Sequence, residues 1–284
     1  MAVGFARRRR IRVDEQIAAQ QVKANVRILE QLRDRFHQMF REPFFTASIV
    51  VDSYILLGLD AEHYKPDLNT DAVAMYVKAH QMPDGRWAIG NEGYRPPLCG
   101  DSDIMQTAIA MRALQLYAPT PVKAAYDQSI QLAAAWLAKA QPKTDDDRSW
   151  RLVGLAWVGN DKGAIQKAKQ ELLAVQRSDG GWSDMASMDS TAYATGKALV
   201  ALQIAGLPAS DPAHQRGIQF LLNTQQEDGS WYVKTRALAV QPYFDNGFPY
   251  GFDQWISAAA TSWATMALAL APTPRPTAAS ASLR

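Results

Sequence analysis

Three groups of carboxylates stand where this chain could do acid–base work. Asp189 lies in Ser187-Met188-Asp189-Ser190-Thr191-Ala192, Asp101 and Asp103 flank Ser102, and Asp145, Asp146 and Asp147 follow Thr144. Each group precedes a run of apolar residues, so each carboxyl either caps a helix or holds a proton near that helix's N-terminus. The three-acid run reads as exposed acids capping a helix. The aromatic residues Trp157, Tyr193, Trp255 and Trp263, with Phe248 and Tyr250 in the loop before the last run, either pack a core or line a pocket.

Other chemistries lack their residues. Cys99 is alone, so neither an internal disulfide nor a cysteine-built zinc or c-type haem site is expected. His37, His63, His80 and His214 fall on or beside helices assigned below to an outer layer, and neither a metal nor a cofactor is expected. Thirty basic and 28 acidic residues leave a net charge of +2, too balanced to point to nucleic acid. No apolar run approaches the ~20 residues of a membrane span. Met1 to Ala6 precede the charges at Arg7 to Arg10, the reverse of a signal peptide.

The elements that position these residues are set by a repeat. Gln-x-x-Asp-Gly-x-Trp occurs at Gln81 to Trp87, Gln176 to Trp182 and Gln225 to Trp231, each time between two apolar helical runs. A degenerate copy has Gln141 in place but no Gly, and its next aromatic, Trp150, comes late. The four Gln are separated by 60, 35 and 49 residues, the length of a helix pair with a variable loop. One helix ends on unpaired carbonyls and the next begins on unpaired amides. Asp-Gly supplies a tight turn with a residue tolerant of positive φ, the Gln amide bridges helix ends, and the Trp covers them. These residues therefore read as structural clasps.

The motif resembles the QW repeat of squalene-hopene and oxidosqualene cyclases. Residues 216–231 match it throughout, from Arg216 and Gly217 through Phe220, Leu221 and Gln225 to Gly229 and Trp231. Residues 167–182 carry Glu171 in place of the aromatic, and residues 72–87 keep Tyr76 and Val77 without the leading basic residue. The resemblance covers most of the chain and implies an all-α fold, an α/α toroid, with an apolar central cavity for an isoprenoid-like small molecule. In such cyclases aromatic walls stabilise carbocations, which here implies Trp157, Tyr193, Trp255, Trp263, Phe248 and Tyr250 as ligand-binding residues. Class II members start by protonating an alkene from the central Asp of Asp-x-Asp-Asp-Thr-Ala. Asp189 falls on that position, with Ser187 and Ser190 replacing its acid neighbours, and Asp103 is the second-best acid. The rival expectation is a non-catalytic toroid module binding a partner chain or lipid.

Alternating apolar patterns place inner helices near 46–59, 103–117, 148–158, 190–205 and 257–271, and outer helices near 14–38, 69–81, 121–140, 161–176 and 211–225. Residues 1–9 read as the end of one further inner helix, giving six inner and five outer helices, an incomplete α6–α6 barrel. A closed six-pair ring needs one more outer helix, so the chain is expected to be truncated or to be covered at that edge by a partner chain or upstream domain. The toroid is expected over 1–271, with a disordered tail over 272–284. Two long insertions, 88–101 and 232–254, are expected to be functional, the second folding over the mouth of the ring.

Overall fold

The computed structural model describes residues 1–35, 48–88, 102–235 and 243–271. The expectations for His37, Cys99, Asp101, most of the first insertion and the tail fall outside them. The described residues form eleven α-helices and no strand: α1 Ala2–Arg8, α2 Glu15–Arg33, α3 Ser48–Ala61, α4 Leu68–Ala79, α5 Asp103–Tyr117, α6 Lys123–Lys139, α7 Asp145–Val158, α8 Lys162–Leu173, α9 Ala192–Ile204, α10 Pro212–Thr224 and α11 Gln254–Leu270. The starts follow their caps. Thr144 and Asp147 form a capping box, so α7 begins at Asp145 rather than near 148. Thr191 accepts from Ala194 N and moves the start of α9 to Ala192.

Odd-numbered neighbours pack on one another in the order α1, α3, α5, α7, α9, α11 and back to α1, closing an inner ring of six helices. The outer helices α2, α4, α6, α8 and α10 each lie against one or two inner ones. Among the described residues the architecture is therefore an α/α toroid with six inner and five outer helices. Helix α9 is built of apolar and small residues apart from Lys197 and Gln203 and is almost wholly buried, as a helix enclosed by others must be. Its approach to α11 depends on Gly196, where a Cβ would come within 2.6 Å of Ala264 N. Short α1 closes the ring at the opposite end. The Arg9 side chain donates to the carbonyls of Ala269 and Leu270 at the end of α11, and Arg7 pairs with Glu62 at 2.6 Å.

The clasps have one geometry. Gln81 Nε2 donates to Gly85 O at 2.9 Å and to Ser129 O on α6 at 2.8 Å. Gln176 Nε2 donates to Gly180 O and to Ala213 O on α10, both at 2.8 Å. Gln225 Nε2 donates to Gly229 O at 2.9 Å. The three glycines sit at φ +97°, +86° and +84°, where a side chain is disfavoured. Each Trp indole donates to the carbonyl four residues before the Gln, namely Val77, Leu172 and Leu221. Each Trp backbone N–H donates to a threonine of the next inner helix, Thr107, Thr195 or Thr261. One motif thus ties an outer helix to the next inner one, and in two cases to the next outer one.

The degenerate repeat keeps this function with different atoms. The carbonyl four residues before Gln141 belongs to Leu137, and it is taken by Arg151 Nε at 3.0 Å, while Arg151 Nη2 takes Ala138 O at 3.0 Å. Arg151 is 1% exposed, and its Nη1 pairs with Glu171 at 2.8 Å. Glu171 is the residue that replaces the aromatic of the following motif. The two departures from the repeat are therefore one compensated exchange, an arginine for the missing tryptophan and a carboxylate to meet its charge.

Candidate functional site

Side chains from four inner helices fill the middle of the ring. Trp150 of α7 is 1% exposed and meets Trp263 of α11 edge-on at 5.7 Å and Tyr54 of α3 at 6.4 Å. Burial raises the phenol pKa of Tyr54. Tyr193 and Lys197, one turn apart on α9, complete the cluster. The Lys197 ammonium lies 4.1 Å from the centre of the Tyr193 ring and 5.9 Å from that of Trp150. It is in direct ion contact with Asp146 and stands 3.9 Å from Asp184. Burial lowers the lysine pKa well below its ordinary value, while the carboxylate contact acts in the opposite sense.

This corrects the reading of Asp145, Asp146 and Asp147 as exposed acids. All three are buried, as is Asp184. Asp147 caps α7, Asp145 pairs with Arg148 at 2.8 Å, and Asp146 faces Lys197. The backbone N–H groups of Asp145 and Asp146 both donate to Asp184 O, which binds the start of α7 to the loop before α9.

The second cluster lies at the start of α11. Tyr243, Phe244, Phe252 and Trp255 are 49%, 49%, 77% and 47% exposed, and they pair with one another, Tyr243 with Phe252 at 4.6 Å and Phe244 with Trp255 at 4.9 Å. Phe248 and Tyr250 are half-buried beside them, and Tyr250 stacks edge-on with Tyr232 at 5.2 Å. A buried amide and a half-buried carboxylate hold this rim. Gln254 donates to Phe244 O and accepts from Asn246 N, both at 2.8 Å. Asp253 accepts from Thr235 N at 2.7 Å and Tyr232 OH at 2.8 Å. Burial pushes the Asp253 pKa up, but these hydrogen bonds outweigh it and leave the carboxyl below its ordinary value.

The remaining sequence-derived candidates are scattered. Asp189 is exposed on the loop before α9, where Thr191 rather than Asp189 caps the helix. Arg177 fixes this loop by donating to the carbonyls of Ala186 and Met188. Asp103 opens α5, with Ser102 as its cap and Arg86 3.4 Å away. Trp157 lies half-buried at the far end of α7, under Arg112 at 5.6 Å. Tyr193 and Trp263 belong to the central cluster; Phe248, Tyr250 and Trp255 belong to the rim. Lys197, Asp146, Asp184 and Trp150 were not anticipated as a site. The available signal was Lys197, the single charged residue in an inner helix of otherwise apolar and small residues.

Among the described residues no group of His, Cys, Asp and Glu is arranged to hold a metal ion, and no helix is long and apolar enough to cross a membrane.

A ring of alternating inner and outer helices joined by these clasps defines the α/α toroid class, and comparison with known proteins agrees. Residues 148–272 match the squalene-hopene cyclase C-terminal domain. The squalene–hopene cyclase of Bradyrhizobium diazoefficiens is 35% identical over 111 residues, covering 35% of this chain and 16% of that protein. That of Zymomonas mobilis is 36% identical over 90 residues, covering 28% and 14%. Among solved structures, ent-copalyl diphosphate synthase from Streptomyces platensis shares the fold with a TM-score of 0.50 and 18% identity, over 80% of this chain and 50% of that one. The matched region is thus a small part of each curated relative and half of the structural neighbour. Together, motif, fold and relatives support a place in the terpenoid cyclase superfamily.

Proposed function

We propose that this terpene-cyclase-like toroid binds an apolar, isoprenoid-class ligand on the aromatic rim at the start of α11. The observation that carries the reading is the exposure of Tyr243, Phe244, Phe252 and Trp255, whose rings pack on one another and leave apolar faces to water. Two exposed aromatic pairs at one helix start present more apolar surface than singly scattered residues do, which supports a binding surface here. A ligand burying ~200–300 Å² of apolar surface here gains about 5–8 kcal/mol before ordering costs. The names of the curated relatives point to the same ligand class, since squalene is an apolar isoprenoid. The test is a fluorescence titration with farnesol and geranylgeraniol. Trp255→Ala together with Phe252→Ala is expected to weaken binding at least tenfold, and Trp263→Phe to leave it unchanged. Equal affinity in the rim variant refutes the proposal.

The second reading is a class II isoprenoid cyclase in which Asp189 donates the initiating proton, with Asp103 as the alternative acid. It is favoured by the position of Asp189 on a loop that Arg177 holds in place, ahead of an inner helix that packs against α11. Against it stand the two serines flanking Asp189 and the internal cation beside Tyr193. If turnover of an isoprenoid is found, Asp189→Asn should abolish it; unchanged turnover removes Asp189 from the mechanism.

A further inference from the structure

We propose that the centre of the ring is a receptor for a primary alkylammonium ion, and that Lys197 is its tethered occupant. The receptor has two parts. The faces of Tyr193 and Trp150 lie 4.1 and 5.9 Å from Nζ, within the range of cation–π attraction. Two buried carboxylates supply the countercharge, Asp146 in direct contact and Asp184 at 3.9 Å. The elements come from separate parts of the chain, α7, the loop before α9, and α9 itself. They converge on one point that is closed to water, since Trp150, Lys197, Asp146 and Asp184 are 1%, 2%, 7% and 1% exposed.

Two carboxyl groups at such a depth either share a proton or are met by a cation. Lys197 provides it from within the chain. Its presence has a consequence for ligands: a positive centre arriving from outside meets an ammonium already in place. The site is therefore shut to exogenous cations in the wild-type protein and opens only when the lysine stem is removed.

The test is chemical rescue. Lys197→Ala removes the charge and the stem beyond Cβ and leaves a channel matched to a three-carbon amine, whereas Lys197→Met fills the stem's volume and leaves no room. Thermal unfolding is followed while n-propylammonium chloride is added, with sodium chloride at equal ionic strength as reference. In Lys197→Ala, propylammonium should raise the midpoint by several degrees with a saturable concentration dependence, as specific binding to the folded state requires. Wild type and Lys197→Met should respond no more to propylammonium than to sodium. Adding Tyr193→Leu to Lys197→Ala should weaken the rescue severalfold in apparent affinity. If Lys197→Ala does not stay folded, its refolding yield with and without propylammonium gives the same decision. Absence of a saturable difference from sodium in either format overturns the proposal, as does a Lys197→Ala protein as stable as wild type without amine. The outcome is independent of the rim, which these substitutions do not touch.

Discussion

Replacing Arg151 by Met tests whether a single arginine has taken over the work of a missing clasp. The side chain is 1% exposed and makes three contacts, to Leu137 O and Ala138 O at 3.0 Å and to Glu171 at 2.8 Å. Methionine keeps most of the volume, so the loss is electrostatic rather than a cavity. The carbonyls of the last turn of α6 lose their donors, and a one-third-exposed Glu171 loses its partner. Removing one member of a buried, hydrogen-bonded charge pair costs about 3–5 kcal/mol. For a chain of this size that corresponds to roughly 6–15 °C in the unfolding midpoint. Glu171→Gln should cost under about 1 kcal/mol, because the amide still accepts from the guanidinium and the site is partly wet. Pairing Arg151→Met with Glu171→Phe restores the aromatic of the repeat and should recover part of the loss, giving a non-additive double-mutant cycle. Urea unfolding followed by circular dichroism reads wild type, Glu171→Gln, Arg151→Met, Glu171→Phe and the double variant. An Arg151→Met loss under 1 kcal/mol, or strict additivity, refutes the claim that the two departures compensate each other.

Other consequences follow from the same geometry. Gln176→Ala removes three hydrogen bonds, two of them part-buried, and should cost about 1–3 kcal/mol, whereas Gln141→Ala, whose amide reaches only Lys139 O at 3.2 Å on an exposed surface, should be close to neutral in the same urea assay. Gly180→Ala places a Cβ 2.7 Å from Arg216 O at a φ of +86° and should cost more than 2 kcal/mol, against ~1 kcal/mol for Gly206→Ala, which has the same backbone sign and open space. His214 is buried and accepts from Gln203 at 2.8 Å as a neutral ring, and burial lowers its pKa. The unfolded chain therefore takes up a proton near pH ~6.5 that the folded chain resists. Stability is retained above that pH and falls as the pH drops towards the folded-state pKa. The slope between pH 7 and 5 should flatten in His214→Gln; an unchanged slope assigns it to other groups.

The repeat made the fold legible. Gln-x-x-Asp-Gly-x-Trp marked the ends of the outer helices, and the small, apolar composition of segments such as Ser257 to Leu270 marked the inner ones. Residues 1–9 read as the end of a further inner helix, and α1 does complete the ring. The rim aromatics stood out by density in a loop. The central cluster did not. Asp145, Asp146 and Asp147 look like any acidic helix start, and the buried partner of Asp146 is Lys197, which lies on the next inner helix and shows no pairing signal within α9. Arg151 was hidden similarly, since its partners Leu137 and Glu171 sit on two different outer helices. A periodic pattern reports which face of a helix is buried; it does not report which charge meets which across a ring.

If the rim holds the apolar ligand while the protein's own side chains occupy the centre, photolabelling with a diazirine-tagged farnesol, followed by peptide mapping, places the label on residues 243–255, competed by unlabelled geranylgeraniol and lost with Trp255→Ala and Phe252→Ala. Competed label on Trp150, Tyr193, Lys197 or Trp263 instead contradicts this and places the ligand inside the ring.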